Sequence, residues 1–310
     1  MWMSILRQSS VRIILTTYPA SNWTNALLYA SRQLGIHCVY MQQGLPASWL
    51  SILPNCTAAV VWSHLGSATL RANGFSDRPV IIARNPSIPE PEIVATLRTR
   101  RRKELGLAAG DLCVLVLGQK SVDQVFVGKG YRETCNLVGR GLAIAVRSGR
   151  VIPFLRPHYG DLTGETERAL RQHELPILLM SKDSPLQEDI AAADVVLSMH
   201  STAMEEAYLM GRPLVQTVAD GVEPVLDFGL LGAPLVRSSV ELARCLASQD
   251  WFAGRRQPPV CRSVADEIRD MLDSEQPRAQ VRVSTEDTSI HEGRHGNHAS
   301  FGRDNPSTVT

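Results

Sequence analysis

The sequence has no closely spaced cysteine pair. Its six cysteines, Cys38, Cys56, Cys113, Cys135, Cys245 and Cys261, are scattered singly, and Cys38 and Cys113 sit inside apolar runs. Such a pattern argues against a disulfide framework or a zinc site and for reduced structural thiols, which places the chain in the cytosol. No run is long and uncharged enough to span a bilayer. The apolar run 11–15 is broken by Arg12 and no small-residue cleavage pattern follows, so no secretory signal is expected. No excess of one charge exists either: a formal net charge of +1 gives no global pull toward nucleic acid or acidic membrane. Gly128-Lys129-Gly130 lacks the Walker spacing. No Asp-x-Asp pair stands in a strand-end loop, so a metal-bridged diphosphate is not expected.

What is present is a long alternation of two patterns. With 310 residues, 44% of them hydrophobic, the chain has room for two ordinary domains with cores of their own. Short apolar runs at 12–16, 36–40, 58–62 and 79–83 read as strands, with helices over 20–34 and 64–73 closed by Gly35 and Gly74. Asn85-Pro86-Ser87-Ile88-Pro89-Glu90-Pro91 then reads as a linker, since proline fits neither helix interior nor central strand. The helix after it carries Arg98, Arg100, Arg101, Arg102 and Lys103; it reads as a solvated basic face, and no aromatic interleaves to stack on nucleic-acid bases. A second series has strands at 112–117, 152–155, 177–180, 194–198 and 214–217. Helices are expected at 131–147, 165–172, 185–192, 202–210, 240–248 and 264–272. The expected class is α/β, two Rossmann-like doubly wound parallel sheets: an N-terminal domain over 1–84, a linker and basic helix over 85–110, and a second domain over 111–273. The polar stretch 274–310 reads as a disordered tail.

Ligands of open parallel sheets bind where the strands end, and the second series ends in four polar loops. They hold Gln119 and Lys120; Arg156 and His158; Lys182; and His200, Ser201 and Thr202. The last loop feeds straight into a helix, whose unpaired N–H groups and dipole favour an anion. Thr202 and Glu205 also match the capping box T-x-x-E, which needs no ligand.

Ser201, Thr202, Glu206 and Ala207, followed by Gly211-Arg212-Pro213, resemble the Ser-[Ser/Thr]-x-x-x-Glu-[Ala/Gly] motif of GT-B-type glycosyltransferases. The likeness is to the bacterial surface-polysaccharide branch, with teichoic-acid polymerases, polysialyltransferases and UDP-N-acetylglucosamine 2-epimerase relatives. Arg156-Pro157-His158-Tyr159 resembles that group's basic residue and His-Pro loop with the order changed. The resemblance implies that Ser201 and Thr202 hold nucleotide phosphates and Glu206 a ribose or sugar hydroxyl. It implies that His158 contacts the phosphate or leaving group, with Arg156, His200, Gln119 and Lys120 beside it. In the first half, Gln43 of Gln42-Gln43-Gly44 stands where the family has histidine; glutamine is no general base, and His64 is the candidate replacement. Fewer strands precede the linker than in the family, which implies an incomplete first domain.

The function so implied is metal-independent transfer of a sugar or polyol phosphate from a nucleotide-activated donor to a glycan or lipid-linked acceptor, in surface or capsular polysaccharide synthesis. No cofactor beyond the donor and no nucleic-acid partner are expected, and peripheral association with the inner face of the membrane is. A nucleotide-sugar epimerase and a non-catalytic nucleotide-binding remnant are the alternatives.

Overall fold

The computed structural model describes residues 1–17, 21–44, 55–118, 124–149, 151–158, 164–248 and 256–274. Met1–Ile268 forms one compact unit, and a second begins at Arg269. Two parallel sheets with surrounding helices build the first unit, which is the α/β class the alternation predicts.

The first sheet has the order β1-β2-β3-β4: β1 (Ile13–Thr16), β2 (His37–Met41), β3 (Ala58–Val61) and β4 (Val80–Ile82). Its central strands are continuous apolar runs because both of their faces are covered: Cys38, Val39 and Tyr40 are buried, as is all of β3. Helix α1 (Trp2–Arg7), which the sequence reading did not find, precedes β1. Helix α2 (Asn22–Gln33) is capped by Ser21, whose hydroxyl accepts the Thr24 N–H at 3.0 Å. Helix α3 (His64–Ala72) is capped in the same way by Ser63. Gly35 and Gly74 end these helices with φ of +69° and +90°, the left-handed turn that stops a helix.

Helix α4 (Pro91–Glu104) starts with proline at its first turn. The expectation of a solvated basic face is corrected for Arg98, Arg101 and Arg102, while Arg100 and Lys103 are exposed. Arg98 and Arg102 both bond Asp194, at 2.5 and 3.1 Å, and Arg101 bonds Asp189 at 2.9 Å. Arg98 also donates to the carbonyls of Ala191, Ala192 and Ala193. Those are the free carbonyls at the end of α7 (Leu186–Ala192), where a cation satisfies both the acceptors and the helix dipole. The charges therefore dock the helix. From the preceding stretch, Ile88 is buried with Val94 in the same apolar cluster as Leu115 and Phe154.

The second sheet has the order β10-β9-β8-β5-β6-β7. Its strands are β5 (Leu112–Leu117), β6 (Val151–Arg156), β7 (Leu178–Leu179), β8 (Val195–Ser198), β9 (Leu214–Thr217) and β10 (Leu235–Val236). The helices between and after them are α5 (Gln124–Ser148), α6 (Glu165–Arg171), α7, α8 (Ala203–Leu209), α9 (Ser239–Ser248) and α10 (Val264–Ser274). A 3₁₀ turn at Phe228–Leu231 and β10 were not legible beforehand. The chain winds outward from β5 through β6 to β7, returns to β8 on the other side of β5, and winds outward again. The reversal between β5 and β8 is the topological switch point.

Five cysteines are buried and Cys261 is partly so, in keeping with structural thiols. Among the described residues no helix is long and apolar enough to cross a membrane.

Candidate functional site

The switch point brings the exits of β6, β5 and β8 side by side. The Gly118 N–H donates to the Arg156 carbonyl at 2.8 Å, extending the β5–β6 ladder by one bond. A Cβ on Gly118 would lie 2.9 Å from the His158 backbone nitrogen and 3.1 Å from that carbonyl oxygen, so only glycine lets the two exits approach this closely. On the other side, Ser198 Oγ donates to the Leu117 carbonyl at 3.4 Å. His158 and the 198–202 exit thus flank β5, both partly open to solvent. Gln119 and Lys120 lie outside the described residues.

Arg156 turns away from this opening. Its guanidinium donates to the carbonyls of Ser181 (2.7 Å), Lys182 (3.2 Å) and Ser184 (2.8 Å), to Ser184 Oγ (2.7 Å) and to Asp189 (2.8 Å). Asp189 is fully buried and is shared with Arg101. An unpaired buried carboxylate is costly, so the structural work available to Arg156 is holding Asp189 and the 181–184 loop. Its expected contact with a nucleotide would compete with these bonds.

At α8 the two readings of the Ser-Thr helix start can be compared directly. The capping box does not form: Thr202 is exposed, its side chain makes no cap bond, and Glu205 points elsewhere. The Ala203 N–H donates to Ser201 Oγ at 3.3 Å, while those of Met204 and Glu205 reach the carbonyls of Ser201 and Thr202 at 3.0 Å each. The first N–H groups of this short helix are therefore already paired. What the exit offers an anion is the hydroxyls of Ser201 and Thr202 beside His200. Glu206 is half-buried and accepts from Gln187 Nε2 at 3.4 Å; burial raises its pKa.

The feature that sequence reasoning missed joins the two sheets. Gln42 Nε2 donates to Glu205 Oε2 at 2.5 Å, and Ser63 Oγ donates to Glu205 Oε1. Gln42 and Ser63 follow β2 and β3, so the exits of the first sheet meet the start of α8. A Cβ built on Gly44 would stand 3.7 Å from Thr202 Cγ2, which continues the same contact. The two first-half candidates, Gln43 and His64, are each the chain neighbour of a buried member and are themselves exposed. No local pattern points to the contact of Gln42 and Ser63 with Glu205, because these partners are 163 and 142 residues apart in the chain.

A cleft of about 580 Å³ opens at the other end of α8, between Trp62, Arg84, Ile88, Val94, Leu209 and Arg212. None of the expected site residues lines it.

No family model and no curated protein matches the sequence. Solved structures match in fold. HepE of Anabaena, crystallised with UDP and glucose, aligns at TM-score 0.56 with 16% identity, over 88% of this chain and 81% of that one. The UDP-GlcNAc 2-epimerase of Neisseria meningitidis bound to UDP-GlcNAc aligns at 0.55 with 13% identity, over 89% and 79%. An α,α-trehalose-phosphate synthase (UDP-forming) of Burkholderia xenovorans, in complex with glucose-6-phosphate, aligns at 0.51 with 13% identity, over 88% and 74%. At these identities the likeness is one of fold: two parallel Rossmann-like sheets of the GT-B type.

Proposed function

We propose that the chain is a glycosyltransferase-like enzyme that takes a nucleotide-activated sugar or polyol at the exits of β5, β6 and β8. It passes the sugar, or polyol phosphate, to a glycan or lipid-linked acceptor of a surface polysaccharide. The observation that carries this reading is the fold match to HepE, whose structure holds UDP and glucose. Four residues at or beside the exits suit the chemistry. The Ser201 and Thr202 hydroxyls donate to phosphate oxygens. His158, beside Gly118, contacts the leaving diphosphate, where a donor stabilises developing charge without a metal. Glu206 accepts from a ribose or sugar hydroxyl, and Gln119 and Lys120, next in sequence after β5 and outside the described residues, are the further candidates for the same ligand. On the acceptor side Gln43 and His64 are exposed at the exits of the first sheet. Arg156 acts at one remove in this reading, by fixing the loop that follows β7.

The test is calorimetric titration of UDP-, CDP- and GDP-linked sugars into the purified chain. One class is expected to bind, with at least about a tenfold loss of affinity in the Ser201→Ala, Thr202→Ala double variant, as for about 1.4 kcal/mol of lost hydrogen bonding. Failure of all three to bind, or an unchanged affinity in the variant, would sink the proposal.

A second reading, a nucleotide-sugar epimerase, draws support from the Neisseria neighbour. Incubating UDP-N-acetylhexosamine with the protein and no acceptor separates the two, since epimerisation needs no second substrate. Binding without turnover in either assay points instead to a non-catalytic nucleotide-binding module.

A further inference from the structure

Where the first sheet meets α8, three polar side chains close on one another out of water. Glu205 is 3% exposed, Gln42 2% and Ser63 0%. Each donor is fixed by its own half of the molecule before it reaches Glu205. The Trp62 N–H donates to Gln42 Oε1 at 3.2 Å, and the Gly66 N–H to Ser63 Oγ at 3.3 Å. Both carboxyl oxygens of Glu205 therefore have a partner, and both partners are neutral. Among the described residues no ion pair reaches Glu205. The titratable groups that act on it or feel it are Glu206 on α8 and the Tyr40 phenol on β2. Both are acids, and neither supplies a counter-ion. An ionised carboxylate in this position has lost its water and gained no cation, which is among the more costly arrangements a fold can hold. Separating the exits of β2 and β3 from α8 would return it to water.

We infer that Glu205 is a proton-linked latch between the two sheets, holding the exits of β2 and β3 against α8 when protonated and loosening them when ionised. The inference concerns the chain alone and does not depend on which nucleotide it binds.

The direction follows from linkage. Burial, the largest influence, raises the Glu205 pKa; the bonds from Ser63 and Gln42 lower it; Glu206 raises it again, and the result is about 7 against an ordinary 4.5. A carboxyl that holds its proton more tightly when latched favours the latched form at low pH. That preference is complete below about pH 4.5, is lost as pH rises toward about 7, and is flat above it.

Hydrogen exchange of the full chain, corrected for the intrinsic pH dependence of exchange, reads this directly. Between pH 5 and 7.5, protection in peptides covering 41–44, 62–67 and 203–208 is expected to fall by at least about tenfold, the effect of one pKa unit, and then level off. Peptides over 151–156 should not follow. Glu205→Gln keeps the size and the acceptor oxygen but cannot ionise, and its protection is expected to be flat across the range. Gln42→Leu removes one donor to the carboxylate, raises the latched pKa, and is expected to extend the fall to higher pH. The inference is overturned by a flat wild-type profile, by a fall shared equally with 151–156, or by a fall that persists in Glu205→Gln. Should Glu205→Gln not fold, a Gln42→Leu profile identical to wild type overturns it as well.

Discussion

Glu205 and Glu206 are separated by about 100° around α8, and that rotation sends one carboxyl across to the first sheet and the other toward Gln187. The spacing after Ser201 and Thr202 singles out Glu206, and the box pattern assigns Glu205 to a cap. Neither pattern can foresee the contact with Gln42, since a pairing over 163 residues leaves no trace in a local window. Gly66 is part of the same arrangement. A Cβ there would stand 2.5 Å from Gln42 Oε1 and 3.1 Å from Val61 Cβ. Gly66→Ala must therefore push the Gln42 amide off both the Trp62 N–H and Glu205. A loss of about 1–3 kcal/mol is expected from such overpacking, read as a lower midpoint in chemical denaturation. An unchanged midpoint would mean that Gln42 has another place to go.

At the scale of elements, α4 shows why charge patterns mislead where apolar patterns do not. Strands such as β3 and β5 announce themselves as unbroken apolar runs, and the helices between them end where glycine permits. Helix α4 buries only Val94 and docks instead through Arg98, Arg101 and Arg102, so a basic run was all that could be read. Strand β10 is too short for any periodicity to register. Asp194 is the receiver of two of these arginines and of the Cys113 N–H at 2.7 Å. Burial pushes its pKa up, but the Cys113 N–H and the guanidinium groups of Arg98 and Arg102 outweigh that, and the net value is lowered from 3.8. A depressed pKa in the folded state adds stability above the unfolded value, and that stability is lost as pH falls through the folded one. Asp194→Asn is therefore expected to destabilise the protein at pH 7. The loss should be on the order of 2 kcal/mol, below the fully buried case because Asp194 keeps 20% exposure. The gap between variant and wild type should close below about pH 3.8, which denaturation at a series of pH values would check.

For the whole molecule, the two sheets were legible as two series of strands, but their joining was not. Leu65, from α3 of the first sheet, is 1% exposed in the same apolar cluster as Cys113, Leu115, Phe154 and Phe228 of the second. Truncating it should be felt on both sides. Leu65→Ala is expected to cost about 2–5 kcal/mol, with near-UV and far-UV signals shifting together in one transition. Separate transitions would show that the halves unfold independently. The thiols have a practical bearing on these experiments. Five cysteines are sealed within the fold, while Cys261 is partly exposed and lines the cleft beside Arg84 and Ile88. The native chain thus carries a built-in attachment point for a fluorophore, next to the segment that connects the two sheets. Changes in their separation could be followed by light without altering a single residue.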